Sequence, residues 1–402
     1  MKVAIVGAGA AGFYSAICVK ENFPDAEVVL FEKSKKVLSK VKVSGGGRCN
    51  VTNGSTNIKQ LAAGYHRGGK QLKKAFESFN NTHIQNWFNK KGIALKTESD
   101  NRVFPVSDNS QTIIDCLWHE VKRFGIDVKT ESNVTKLIPK DDAIELQLNH
   151  SESHTFTKVI LASGGSPKKE GLDWLKELGH AIVDPVPSLF TFNIPNENIT
   201  ELMGVSVEHV ITSIEGSKLQ ASGPLLITHW GMSGPAILKL SSFGARWLYE
   251  KNYQFNVMIN WVNELNQDII ELHLTEFAEK HSKKQLGNSK PFNLPSRLWL
   301  YLLNKSSIKA EVQWQDLGKK IRNKLIAVLC NDVYSVKGKT TFKEEFVTCG
   351  GISLDSIDFA SMKSRAISNL YFAGELLDID GITGGYNFQA AWTTAFIAAQ
   401  LK

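Results

Sequence analysis

Val3 to Val6 form an unbroken apolar run that stops at a glycine. A run with no polar alternation predicts a strand buried on both faces, as in a parallel sheet. A helix is predicted next, from Phe13 to Asn22, and then a second apolar strand from Glu27 to Phe31. Polar coil is expected to about residue 69. Apolar positions then recur at helical spacing between Gln71 and Lys90, where Leu72, Phe76, Phe79, Ile84, Trp87 and Phe88 make one stripe. Another helix is predicted from Ser110 to Phe124. Ile126 to Asn133 reads as a strand followed by Val134. Ala143 to Leu148 with Thr155 to Thr157 reads as a β-meander, and Lys158 to Gly165 as a further buried strand that ends in small residues.

The pattern changes near Pro185. Residues 186–260 alternate in short strands with turn residues between them, as in a barrel or sandwich. Residues 263–330 look helical, with Trp299, Leu300, Leu302 and Leu303 as core candidates. Strand character returns from Thr340 to Val347. The chain ends in the style in which it began: a strand from Leu370 to Gly374, a glycine-rich turn, and a helix from about Phe388. The expected fold class is α/β. A discontinuous Rossmann-like domain (1–187 and 345–402) is interrupted by a β-barrel-like insert (188–262 and 331–344) and a small helical subdomain (263–330).

With 402 residues, 42% of them hydrophobic and 22% charged, the chain reads as a globular protein of two or three domains. No apolar run reaches the ~18–20 residues that span a bilayer, and no leader-peptide pattern opens the chain, so no membrane is expected. The five cysteines are scattered, with no CxxC spacing. That spacing argues against a disulfide framework or a metal site and for a reducing, cytoplasmic setting. The net charge of +7 is modest. The densest basic cluster (Lys33, Lys35, Lys36, Lys40, Lys42) reads as a solvated loop or as a screen for nearby phosphate. No basic stripe interleaved with aromatics is visible, so no nucleic-acid partner is expected. Oligomeric state is not legible.

Three stretches carry chemistry. The first is Gly7-Ala8-Gly9-Ala10-Ala11-Gly12, set between strand and helix, with Glu32 twenty residues beyond Gly12. Glycines there permit a tight turn, a close approach to pyrophosphate and close helix packing, while an acidic residue at that distance accepts ribose hydroxyls. The second is Gly45-Gly46-Gly47-Arg48-Cys49-Asn50, which exposes backbone N–H groups against which a flat ring can lie. The third runs from Ala373-Gly374-Glu375 to Gly384-Gly385-Tyr386-Asn387-Phe388-Gln389, a glycine turn feeding a helix N-terminus. Its dipole would stabilise negative charge at the N1/C2=O edge of a reduced flavin. Together the three point to non-covalent FAD. No second GxGxxG exists for a nicotinamide domain, so NAD(P)H would bind only transiently as a co-substrate.

These motifs closely resemble the BaiN/aminoacetone-oxidase-like group of FAD-dependent oxidoreductases, within the two-dinucleotide-binding superfamily. The resemblance covers essentially the whole chain and includes GGGRCNVTN (Gly45 to Asn53), Arg102-Val103-Phe104-Pro105, Pro187-Ser188-Leu189, Ile227 to Pro235 and GELLDIDGITGGYN (Gly374 to Asn387). It implies that Gly7, Gly9, Ala10, Ala11, Gly12, Glu32 and Lys33 hold the pyrophosphate and adenosine ribose. Val134 would meet adenine through its backbone, and Ala162, Ser163 and Gly164 would pass beside the ADP. Gly46, Gly47, Arg48, Cys49 and Asn50 would flank the isoalloxazine opposite Gly384, Gly385, Tyr386, Asn387 and Gln389. Gly374 and Glu375 would lie near the ribityl chain. Asn101 stands where the family usually has glycine; a left-handed turn tolerates asparagine.

Four of these residues admit more than one role. His229 and Tyr386 are the acid/base candidates, and each also suits hydrogen bonding or packing. Cys49 is a redox partner or a small packing residue. Arg48 orients a substrate carboxylate or neutralises phosphate. The expected function is an FAD-dependent oxidoreductase acting on a small organic molecule, with the flavin between the two domains. The alternatives are a flavin-dependent nucleic-acid-modifying enzyme and a non-catalytic redox sensor.

Overall fold

The computed structural model describes residues 1–149, 152–166, 168–340 and 347–402. They form two compact units, Met1–Ser188 with Phe342–Lys402, and Leu189–Thr341.

The first unit is organised by five parallel strands in the spatial order Asp127–Lys129, Glu27–Phe31, Lys2–Val6, Lys158–Leu161, Leu370–Phe372. In chain order that is 3-2-1-4-5, the doubly wound arrangement in which ligands bind beyond the carboxyl ends of the strands. Val3, Ala4 and Ile5 have no exposed surface, which explains the lack of polar alternation. The helix Ala10–Asn22 is buried from Ala11 to Val19. Its Tyr14 packs edge-on against Trp392 of the last helix, Tyr386–Ala398, and against Trp87, with ring centroids 5.5 and 5.2 Å away. An antiparallel meander, Val134–Pro139, Ile144–Leu148 and Glu152–Phe156, fills the crossover to the fourth parallel strand.

Several local expectations change. The stripe between Gln71 and Lys90 is two helices, Gly69–Ser78 and Asn81–Lys90. The break is chemical: the Asn80 side chain accepts from the N–H groups of Thr82 and His83, and the His83 ring accepts from the Asn80 N–H. That reciprocal cap starts a new helix without interrupting the apolar face. The expected coil to residue 69 contains the helix Ile58–Ala63 and short strands at Thr52–Asn53 and Tyr65–Arg67. The strand near residue 126 is only Asp127–Lys129.

In the second unit, one antiparallel sheet of seven strands runs from Asp332–Lys337 at one edge to Lys339–Thr340 at the other. Those edge strands are joined by Gly338 alone, so the sheet curls until its edges meet. Two helices that the alternating pattern hid, Pro235–Phe243 and Ala245–Glu250, lie within this unit. The first starts where Gly234, at φ +93°, is followed by Pro235 in the opening turn. The helices Gln267–Lys280, Ser296–Lys305 and Lys319–Cys330 share one core with the sheet, through Trp299, Leu302, Leu325 and Ile259. Leu300 is 44% exposed and is not core. The expected strand from Thr340 to Val347 falls largely outside the described residues.

Candidate cofactor site

The first turn is built by backbone contact. Gly7 sits at φ +105°, and a Cβ there would lie 2.4 Å from the Ala162 carbonyl oxygen. A Cβ on Gly12 would lie 1.7 Å from the Gly7 oxygen, so the helix can pass the strand only without a side chain. At Gly9 nothing lies within 4 Å of that position. The helix starting at Gly9 has no side-chain cap and no acid in its first turn. Its first N–H groups and its dipole therefore face open space, ready for an anion. This cradle fits a pyrophosphate.

Glu32 stands beside that turn. Its Oε2 accepts from the Ala8 N–H at 2.9 Å, and its Oε1 accepts from the Ser34 N–H and hydroxyl at 3.0 and 2.9 Å. A carboxylate has about four lone-pair sites, so a further donor such as a ribose hydroxyl can still be accommodated. The Ser132 N–H donates to the Glu32 carbonyl at 2.8 Å, which brings the approach to Val134 alongside. Ala162 donates its N–H to Val6 O at 2.8 Å, and Gly164 turns the chain away at φ +79°. Gly7 to Gly12, Glu32, Val134 and Ala162 to Gly164 thus gather at one end of the sheet. Lys33 is exposed next to them.

Gly45, Gly46 and Gly47 adopt φ of +59°, +70° and +84°. Gly45 is pressed on the Phe104 ring, whereas the Cβ positions of Gly46 and Gly47 are open. Arg48 donates from Nη1 to Glu98 at 2.7 Å, and its guanidinium lies 3.8 Å from the Phe104 ring centroid. Its charge is met by Glu98 and Asp108, two carboxylates from outside the glycine loop. Asn101 does take the left-handed conformation, at φ +65°. Asn50 accepts from the Val103 N–H at 3.3 Å.

Cys49 has no exposed surface, and burial pushes its thiol up to about 12. A protonated, enclosed thiol is a packing residue, not a redox partner. The two glycine motifs meet through the backbone. Asn53 donates to the Gly384 oxygen at 3.1 Å, and a Cβ on Gly385 (φ +88°) would lie 2.2 Å from Thr52 O. Gln389 is fully buried; it accepts from the Thr52 hydroxyl at 2.6 Å and donates to Thr393 at 3.0 Å. The side chains of Cys49 and Gln389, both expected to flank the cofactor, are enclosed by the chain.

Glu375 accepts from the Lys40 ammonium at 2.5 Å and from the Thr348 N–H at 2.8 Å. Gly374, at φ +76°, donates to Thr394 at 2.8 Å. Asn387 bridges both backbone groups of Gly381, at 2.9 and 3.0 Å. Tyr386 packs edge-on to Tyr65, and burial raises its phenol above the usual range, so it stays protonated. Tyr65 donates to the Tyr386 carbonyl at 2.6 Å. His229 belongs to the second unit, exposed on the turn between strands Gln220–Thr228 and Gly231–Ser233, with its ring 4.5 Å from that of Trp230. Sequence reasoning missed Lys40, Thr52, Tyr65, Arg67 and Asp380 as supports; only the motif letters around Thr52 and Asp380 hinted at them. Among the described residues no group of three His, Cys, Asp or Glu could hold a metal ion, and no helix is long and apolar enough to cross a membrane.

The family described as HI0933-like protein Rossmann domain matches residues 1–401. The chain belongs to that family. A ribosomal RNA dihydrouridine synthase of Escherichia coli K12 is 30% identical over 406 residues, covering 98% of this chain and 96% of the relative. A 3-dehydro-bile acid delta(4,6)-reductase of Clostridium scindens is 24% identical, covering 99% of this chain and 98% of the relative. Among solved structures, a 3-ketosteroid delta1-dehydrogenase from Sterolibacterium denitrificans superposes with a TM-score of 0.54 at 13% identity, covering 99% and 98% of the two chains. Membership of the HI0933-like family makes the protein a Rossmann-type member of the FAD-dependent oxidoreductases.

Proposed function

We propose that this protein reduces a carbon–carbon double bond conjugated to a carbonyl, and that its substrate is a uracil base in ribosomal RNA. The observation that carries the reading is the end-to-end similarity to the Escherichia coli ribosomal RNA dihydrouridine synthase. A second full-length relative, the bile-acid reductase, is named for saturating an alkene of a ketosteroid, which is the same class of bond. An RNA substrate departs from the expectation of a small organic substrate and no nucleic acid.

Bound FAD would supply a hydride, replenished by NAD(P)H binding transiently. The chain supplies the rest. The open N–H groups at Gly9 to Gly12 hold phosphate, and Glu32 takes the ribose hydroxyls. Gly46, Gly47 and the Gly384–Gly385 turn hold a flat ring without side-chain bulk. Tyr386 Oη, protonated because it is buried, is the proton source at the turn. Hydride on one carbon and proton on the other add two hydrogens to the substrate, while NAD(P)H leaves oxidised.

The test supplies the FAD-loaded protein with NADH or NADPH and ribosomal RNA from a strain lacking the corresponding gene, then reads uridine mass. A gain of two hydrogens at one site supports the proposal. Unchanged RNA alongside turnover of an unsaturated 3-ketosteroid would move the function to small enones, and turnover of neither would overturn the conjugated-alkene reading.

A further inference from the structure

Asp380 has no exposed surface, yet it carries a carboxylate next to the turn assigned to the flavin ring. Arg67 meets it with a two-pronged contact, Nε to Oδ1 and Nη2 to Oδ2. Ser188, also fully buried, donates to the same carboxylate at 2.8 Å. Asp378 and Cys349 lie near enough to act on the Arg67 charge. A buried ion pair is a poor source of stability, because well-packed apolar residues of the same volume do as well or better. What it does supply is direction: the planar fork fixes the carboxylate plane, and with it the backbone at Asp380.

That backbone leads straight into the glycine turn. Asp380–Gly381 pairs with Tyr65–Arg67 across a register shift, and the Ile382 N–H donates to Gly64 O at 2.9 Å. From the far side, Tyr65 holds the Tyr386 carbonyl and Asn53 holds the Gly384 carbonyl. The turn between has half-buried residues throughout, from Ile382 to Gly385.

We propose that Arg67, Asp380 and Ser188 are positioning residues, a charge-neutral anchor that sets the height of the Ile382–Gly385 turn against the flavin. The inference rests on the FAD assignment within the proposed function and on none of its substrate chemistry. The anchor does not touch the cofactor; it acts through the turn.

Two variants of the full chain test it. Arg67→Lys keeps the charge and removes the fork. The triple variant Arg67→Met, Asp380→Leu, Ser188→Ala removes the three polar groups of the anchor and fills their place with apolar side chains, leaving Asp378 and Cys349 untouched. Apo-protein melting, FAD binding by titration and the visible spectrum of bound flavin are compared with wild type. The expected result is near-wild-type melting of the triple variant, with FAD bound about tenfold more weakly in both variants, the effect of ~1.4 kcal/mol, and an altered flavin band. Wild-type FAD affinity and spectrum in the triple variant would overturn the proposal, whatever its melting point. A triple variant that cannot fold would overturn it too, because the pair would then serve the fold and not the turn. Substrate appears in none of the three readouts, so RNA left unchanged by the wild-type protein would sink the proposed function alone.

Discussion

The stretches Gly7–Gly12 and Gly45–Gly47 look alike in composition and differ in what demands the glycine. At Gly7 and Gly12 the chain itself demands it: an added Cβ would strike backbone oxygens at 2.4 and 1.7 Å. At Gly46 and Gly47 an added Cβ would meet nothing within 4 Å among the described residues beyond its own chain neighbours; the left-handed backbone asks for glycine there. One stretch is fixed by the close passage of a helix over a strand. The other has no such contact, and it is the stretch we propose to lie against the flavin. Open space beside a left-handed glycine does not by itself mark a ligand, because Gly92, Gly125 and Gly216 share it in ordinary turns; the surrounding GGGRCN motif is what sets Gly46 and Gly47 apart.

The sharpest way to break this contrast is Gly12→Ala. The methyl group cannot be placed without moving helix Ala10–Asn22 off the first strand, and overpacking of that kind costs about 3 kcal/mol. Urea unfolding of the apo-protein should register that loss, and the purified protein should carry no flavin. A variant that melts like wild type with one FAD per chain would mean that the helix rides higher than described.

Gly46→Asn probes the other side. Asparagine tolerates the left-handed region, so the backbone term is small and there is no clash with the chain. Apo-protein stability should fall by less than about 1 kcal/mol, while FAD binding weakens by about tenfold, ~1.4 kcal/mol. Equal FAD affinity in variant and wild type would show that the open space at Gly46 belongs to solvent.

The first stretch was legible in the sequence because strand, turn and helix announce themselves together. Val3 to Val6 is uniformly apolar because both faces are covered, and the glycine spacing follows from a clash within the chain. The second was legible as a motif, but its geometry was not. Arg48 reads as a free cation until Glu98, fifty residues later, is seen to hold it. The Thr52 partner of Gln389, at the other end of the chain, is equally invisible in the sequence. The break at Asn80 was missed because the apolar stripe continues on both sides; only the cap formed with His83 marks it. The helices Pro235–Phe243 and Ala245–Glu250 were missed because helix periodicity cannot be distinguished from short alternating strands over so few residues. Local pattern carries elements buried by their own neighbours, whereas pairings across hundreds of residues leave only the identity of one partner.

The smallest effect is expected at Cys49, between the two loop types: a left-handed residue (φ +63°) without exposed surface. Cys49→Ala should leave FAD content and flavin reduction unchanged between about pH 6 and 9, because a thiol held near 12 supplies no thiolate there. The consequence appears in alkali. Burial raises the folded thiol from about 9 to about 12. Above the lower value the unfolded chain gives up a proton that the folded chain keeps, so folding stability falls as pH rises. A single group contributes about 1.4 kcal/mol per pH unit within that window and nothing below it. Cys116 is raised in the same way and is common to both proteins, so the difference between wild type and variant isolates Cys49. Urea unfolding at pH 7 and pH 10 should show wild type losing about 1.4 kcal/mol more than Cys49→Ala. Parallel losses would mean that the thiol ionises in the folded protein at its ordinary value. The loop would then be open beneath Gly47, and the contrast between a chain-fixed turn and a ligand-facing one would need to be redrawn at that residue.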